Sequence, residues 1–93
     1  MILSFRDKDT ARLFQREEIR KLPTDIQRTA IRKLWMIDAA HILQDLKVPP
    51  ANHLEKLQGK SIGQYSIRIN DQWRIRFRWD NGNAYNVEII DYH

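Results

Sequence analysis

Residues 65–79 read YSIRINDQWRIRFRW, and their alternation decides the fold. Tyr65, Ile67 and Ile69 alternate with Ser66, Arg68 and Asn70, and Trp73, Ile75, Phe77 and Trp79 alternate with Arg74, Arg76 and Arg78. A period of two, with one apolar and one polar set, marks strands whose single buried face lies on helices. Residues directly opposite on paired strands share a face. Ile67 and Ile69 therefore join Trp73 and Ile75 only across an odd-length loop, most simply Asn70-Asp71-Gln72, which sets Arg68 opposite Arg74. Tyr85, Val87 and Ile89 alternate with Asn86, Glu88 and Ile90 in a third strand. The same rule predicts a three-residue loop, Asp80-Asn81-Gly82, with Gly82 as its left-handed residue. Arg76 then faces Asn86, Arg74 faces Glu88, and Tyr92 lies level with Asn70.

Upstream, the short apolar run Met1–Phe5 predicts a strand. Asp9 and Thr10 are cap residues for a helix over about 11–20. Thr24 with Gln27 matches a capping box. From there Ile26, Ala30, Ile31, Leu34, Ile37, Leu43 and Leu46 recur at helical steps, predicting one helix to about Leu46 with Arg28, Arg32 and Lys33 mostly outside. Pro49-Pro50 ends it. The order is βααβββ: an α+β fold, an antiparallel sheet with two helices packed on one face.

The 93 residues suit a single domain, 1–93, and 42% hydrophobic content supports a packed core. There is no cysteine, which excludes disulfides and thiolate chemistry and fits a reducing cytoplasm. No apolar run approaches a membrane span, and MILSFRDKD has no signal-peptide core. The net charge of +4 is concentrated: Lys60, Arg68, Arg74, Arg76 and Arg78 stand against Asp71 alone between Gly59 and Trp79. A cationic strand region suits a polyphosphate ligand, although basic side chains also simply solvate sheet faces.

The polar face gathers Arg68, Arg74, Arg76, Glu88 and Tyr92, with Asp91 and His93 at its edge. Two arginines directly opposite each other repel by a few tenths to about 1 kcal/mol. A face that tolerates this is suited to an anion. Cleaving RNA without a metal needs a base for the ribose 2′-hydroxyl, an acid for the leaving 5′-oxygen, and positive charge at the phosphate. His93 is the best acid or base on chemical grounds. Arg68 and Arg74 suit the phosphate because a guanidinium binds it bidentately. Tyr92 suits base stacking or proton movement, and Asp91 suits orienting His93, although parity points its side chain to the other face. A lone terminal histidine is by itself more often a surface residue. His41 reads as a packing residue late in the long helix, and His53 as part of a polar loop. No His, Asp and Glu spacing makes a metal ligand set. Gly59-Lys60-Ser61 mimics the end of a P-loop but lacks its preceding glycine and strand.

The passage LEKLQGKSIGQYSIRINDQWRIRF, the closing IIDYH, the element order and the length resemble HigB-type toxins of the RelE/ParE superfamily, the plasmid maintenance system killer proteins. The resemblance covers essentially the whole chain. It implies a RelE-like fold and a cytoplasmic toxin that cuts mRNA in the ribosomal A site, beside 16S rRNA, with neither metal nor small-molecule cofactor. It also implies inhibition by a cognate helix-turn-helix antitoxin of HigA type. Carried over by position, Arg68 and Arg74 match the phosphate-contacting arginines. Asp91, Tyr92 and His93 match the C-terminal catalytic cluster, with His93 as principal acid or base. Lys60, Arg76, Lys56 and His53 are the expected further RNA or phosphate contacts. Some relatives carry a histidine followed closely by a lysine where this chain has Glu55 and Gln58. The rival readings are a non-nucleolytic ParE-like gyrase inhibitor and a degenerate toxin that only binds RNA.

Overall fold

The computed structural model describes residues 1–58 and 63–91. Lys60, Tyr92 and His93 therefore lie outside the described residues, as do the glycine and serine flanking Lys60. Two helices, α1 (Lys8–Phe14) and α2 (Thr24–Ala39), precede a four-stranded antiparallel sheet. Its strands β1 (Glu55–Lys56), β2 (Gln64–Arg68), β3 (Trp73–Asp80) and β4 (Asn83–Asp91) neighbour one another in chain order. The helices cover one sheet face. Leu13 of α1 and Ile26, Ala30, Leu34 and Ile37 of α2 are buried together with Ile67, Ile75, Phe77, Ala84 and Val87. Trp73 and Trp79 pack against this core, as their alternation with the arginines requires. No helix among the described residues is long and apolar enough to cross a membrane.

The first hairpin has the expected register, with Ile67 paired to Ile75 and Arg68 to Arg74. The second does not. Its turn is the two residues Asn81-Gly82, both in the left-handed region at φ 51° and 81°, as a tight primed turn demands. Arg78 consequently pairs with Tyr85, which lies outside the core beneath the Arg78 guanidinium, 4.4 Å from its ring centre. A bulge then restores the face pattern: Asn86 adopts φ 54°, and beyond it Arg76 pairs with Glu88 and Arg74 with Ile90. The expected partners Asn86 for Arg76 and Glu88 for Arg74 are thus each displaced by two residues. The same bulge limits the N-terminal run to isolated parallel bridges, Ile2 to Ala84 and Phe5 to Val87, rather than a full strand. Between them Ser4 Oγ accepts from the Asn86 amide at 2.8 Å.

Both helices are shorter than their apolar spacing suggests. Asp7 caps α1, accepting from the Thr10 amide at 2.9 Å and from its hydroxyl at 2.7 Å, so the helix begins earlier than expected. Arg16 at φ 68° lies just beyond its end. α2 stops at Ala39 because Asp45 accepts from the amides of His41 at 2.9 Å and Ile42 at 3.2 Å, starting a separate 3₁₀ helix, Leu43–Lys47. These amide bonds, His41 first, hold the Asp45 carboxyl below its ordinary pKa. Leu46 still reaches the core from this shorter element, whereas His41 is exposed rather than packed.

Gln27 does not close a capping box. Pro23 is the N-cap residue, and Gln27 is buried, with Nε2 donating to the carbonyls of Ile19 at 2.7 Å and Leu22 at 2.8 Å. It pins the chain between the helices. Gln27→Leu strands two carbonyls and is expected to cost about 1–3 kcal/mol, read as a lower urea midpoint at constant slope.

Lys33 is also inside rather than outside, with 6% exposure. Its ammonium donates to Asn52 Oδ1. Asn52, fully buried at the end of the short 3₁₀ turn Pro50–Asn52, donates in turn to the carbonyls of Leu46 at 3.1 Å and Val48 at 3.4 Å. Burial chiefly, and the charge of Arg32 next, hold the Lys33 pKa below 10.5. This polar knot fastens the 43–54 segment to α2, and with it the approach to β1.

Candidate functional site

Alternation along β2 and β3 puts Ser66, Arg68, Arg74 and Arg76 on the face away from the helices. Ser66 is small enough for the Arg74 side chain to lie flat across it. Arg74 Nε donates to Ser66 Oγ at 2.9 Å, its terminal nitrogen donates to the Ser66 carbonyl at 3.3 Å, and the residue is 6% exposed. The same nitrogen donates to the carbonyl of His53 and stands 3.8 Å from the Glu55 carboxylate. His53 offers that carbonyl from a left-handed conformation, φ 44°, at the end of the Pro50–Asn52 turn. Arg74 therefore ties the entry of the short edge strand β1 to the centre of the sheet, and its charge is fixed in place.

Opposite it, Arg68 remains about one-third exposed and pairs with Asp71 in the connecting turn. The turn is shaped by Asn70, whose Oδ1 accepts from the amides of Gln72 at 2.9 Å and Trp73 at 2.8 Å. His53, Glu55, Arg68, Asn70, Asp71 and Arg74 line a cleft of about 230 Å³. Two guanidiniums thus share one concavity, each with a carboxylate at hand, and the expected repulsion across the strands is offset locally.

The other candidates separate around this cleft. Arg76 lies on the same face but is engaged by Glu88, with Nε and a terminal nitrogen donating to one carboxylate oxygen at 3.1 and 2.9 Å. Arg6 approaches that oxygen at 3.5 Å. Lys56 pairs with Tyr65 on the edge strand, so alternation turns it away from Arg74. Asp91 pairs with Trp73 at the end of β4 and accepts from Gln72 Nε2 at 3.1 Å. It sits on the side that parity predicts. Of the residues singled out from the sequence, His53, Arg68 and Arg74 come together. Ser66, Glu55, Asn70 and Asp71 were missed as cleft partners. Asp71 was legible as a turn acid three residues after Arg68; Glu55 was not, because its meeting with Arg74 depends on the pairing of β1 with β2.

The cleft's chemistry is that of an anion site: fixed planar donors, bounded by a histidine and by acids that neutralise it when empty. Residues 3–93 match the profile of a family described as the RelE-like toxin of type II toxin-antitoxin system HigB. The chain is 39% identical over 90 residues to Toxin HigB-1 of Vibrio cholerae, covering 96% of this chain and 95% of the relative. It is 35% identical over 94 residues to Endoribonuclease HigB of Proteus vulgaris, covering all of both chains. With that fold, these two full-length relatives and the profile match, the chain belongs to the HigB-like family, the RelE-like toxins of type II toxin–antitoxin systems.

Proposed function

We propose that this toxin is an endoribonuclease that cuts mRNA in the ribosomal A site by attack of a ribose 2′-hydroxyl on the neighbouring phosphate, with no metal. The observation that carries the reading is the pair of opposed arginines, Arg68 and Arg74, in one cleft on the open sheet face. A scissile phosphate seated there gains negative charge as its 2′-oxygen attacks, and guanidiniums held in place stabilise that charge without reorganising. Arg74 supplies a positioned donor and Arg68 the more accessible one. One group takes the 2′-proton, and a second returns a proton to the departing 5′-oxygen. His93 fills the principal proton-transfer role, Tyr92 stacks on a base or relays a proton, and Asp91, two residues earlier, orients His93. His53, Lys60 and Arg76 are further RNA or phosphate contacts, and 16S rRNA is the neighbour of the message in the A site. A type II toxin has an antitoxin, and a helix-turn-helix protein of HigA type is the partner we assign. The relative named Endoribonuclease HigB supports the reaction class.

The test is induction of the toxin in cells followed by mapping of mRNA 5′ ends. New in-frame ends are expected with the unaltered chain and are lost in His93→Ala and Arg68→Ala. Intact transcripts with SOS induction would instead mark a ParE-like gyrase poison. Toxicity indifferent to both substitutions would remove the cleft from the mechanism.

A further inference from the structure

Each cleft arginine has a carboxylate beside it. Glu55 stands 3.8 Å from the Arg74 guanidinium, and Asp71 is paired with Arg68. Neither acid is required by the fold in the way that Ser66 or Asn70 is. The Glu55 side chain is half exposed and that of Asp71 almost wholly so, and among the described residues neither accepts a backbone amide. Arg74 meanwhile keeps its position through Ser66 and the His53 carbonyl. Glu55 thus contributes little to holding Arg74, while Asp71 engages Arg68 from an exposed turn; both acids occupy guanidiniums that a phosphate would otherwise take.

Building on the nuclease reading, we propose that Glu55 and Asp71 are resident anions that occupy the two cleft arginines in place of phosphate, so that RNA binds only by displacing them. They set the toxin's affinity rather than its chemistry. The acids swing aside as the backbone enters, and the cost of separating each pair is subtracted from the binding free energy. A chain with these carboxylates neutralised presents two more effective cations to RNA.

The measurement is the dissociation constant of a short 2′-O-methyl RNA oligonucleotide, which cannot be cleaved, over a series of salt concentrations. Glu55→Gln and Asp71→Asn are each expected to tighten binding about fivefold at low salt, the scale of one charge pair near 4 Å in water. Each should also steepen the fall of log affinity with log salt by about 0.7, the increment for one more phosphate-neutralising cation on a single strand. Asp80→Asn, at an acid paired with Arg78 by the far turn, changes the net charge equally and should leave both quantities nearly unmoved. Equal tightening by Asp80→Asn, or no tightening by either cleft variant, overturns the proposal. In the second case, loss of binding in Arg68→Ala shows that the cleft still holds RNA and the nuclease reading stands. Binding indifferent to Arg68→Ala removes both. Should Glu55→Gln fail to fold, Asp71→Asn carries the test from its exposed turn.

Discussion

Arg74→Ala is expected to lower mRNA cleavage by about 10²–10³-fold and to destabilise the fold by about 2–4 kcal/mol. The two losses have separate origins. On the nuclease reading proposed above, the catalytic loss follows from removing a fixed positive charge from the place where the phosphate becomes more negative. The stability loss follows from stranding polar groups: the Ser66 hydroxyl, the Ser66 and His53 carbonyls and the Glu55 carboxylate all face this guanidinium. Arg74→Lys separates them. A lysine keeps the charge but offers a single ammonium where Nε and a terminal nitrogen serve different partners. It should recover part of the activity and little of the stability. Urea unfolding and single-turnover cleavage of a ribosome-bound message, measured on both variants, check the two effects independently. Full stability in Arg74→Ala would contradict the clamp described for β1.

The second large effect lies away from the cleft. Asn52→Ala is expected to cost about 3 kcal/mol, because it deprives the Lys33 ammonium of its acceptor, and the buried Leu46 carbonyl and the partly exposed Val48 carbonyl of their donor. The same knot imposes a pH dependence. The folded chain lowers the Lys33 pKa below 10.5, so between that lowered value and 10.5 the unfolded chain binds more protons than the folded one. This group's contribution to stability therefore rises with pH through that alkaline window. Below it, the full cost of keeping the charged form inside is present. Lys33→Met removes the titration, and urea midpoints collected across the alkaline range should rise less with pH than those of the unaltered chain.

The strand half was legible where one rule sufficed. Alternation over residues 65–79, with the requirement that Ile67 and Ile75 share a face, yields the Arg68–Arg74 pairing. It failed at the next turn because Asn81 and Asn86 both accept left-handed conformations, giving a tighter turn and a compensating bulge. Parity survived the bulge and the exact partners did not. Helical spacing placed α2 correctly at its start but ran past Ala39, since it cannot distinguish Leu43 and Leu46 in a continuing helix from the same residues in a separate turn started by Asp45. Lys33 was misplaced for a similar reason: the helix faces a polar anchor, Asn52, that lies in a loop. In the cleft, the arginines were visible as strand residues, whereas Glu55, noted from the resemblance only as standing where some relatives carry a histidine, was set beside Arg74 by a tertiary contact.

The outer edge of β4 is bonded to the first residues of the chain: the Leu3 amide donates to the Ala84 carbonyl at 2.8 Å and the Arg6 amide to that of Val87 at 2.9 Å. Partners this remote in sequence close last, because the intervening loop must be ordered before they meet. During synthesis Leu3 and Arg6 emerge before the strand they bond to and wait for it. The strand that carries Glu88 to the arginine face is made after the strands that carry the arginines, so a nascent toxin cannot complete that face until β4 has been delivered.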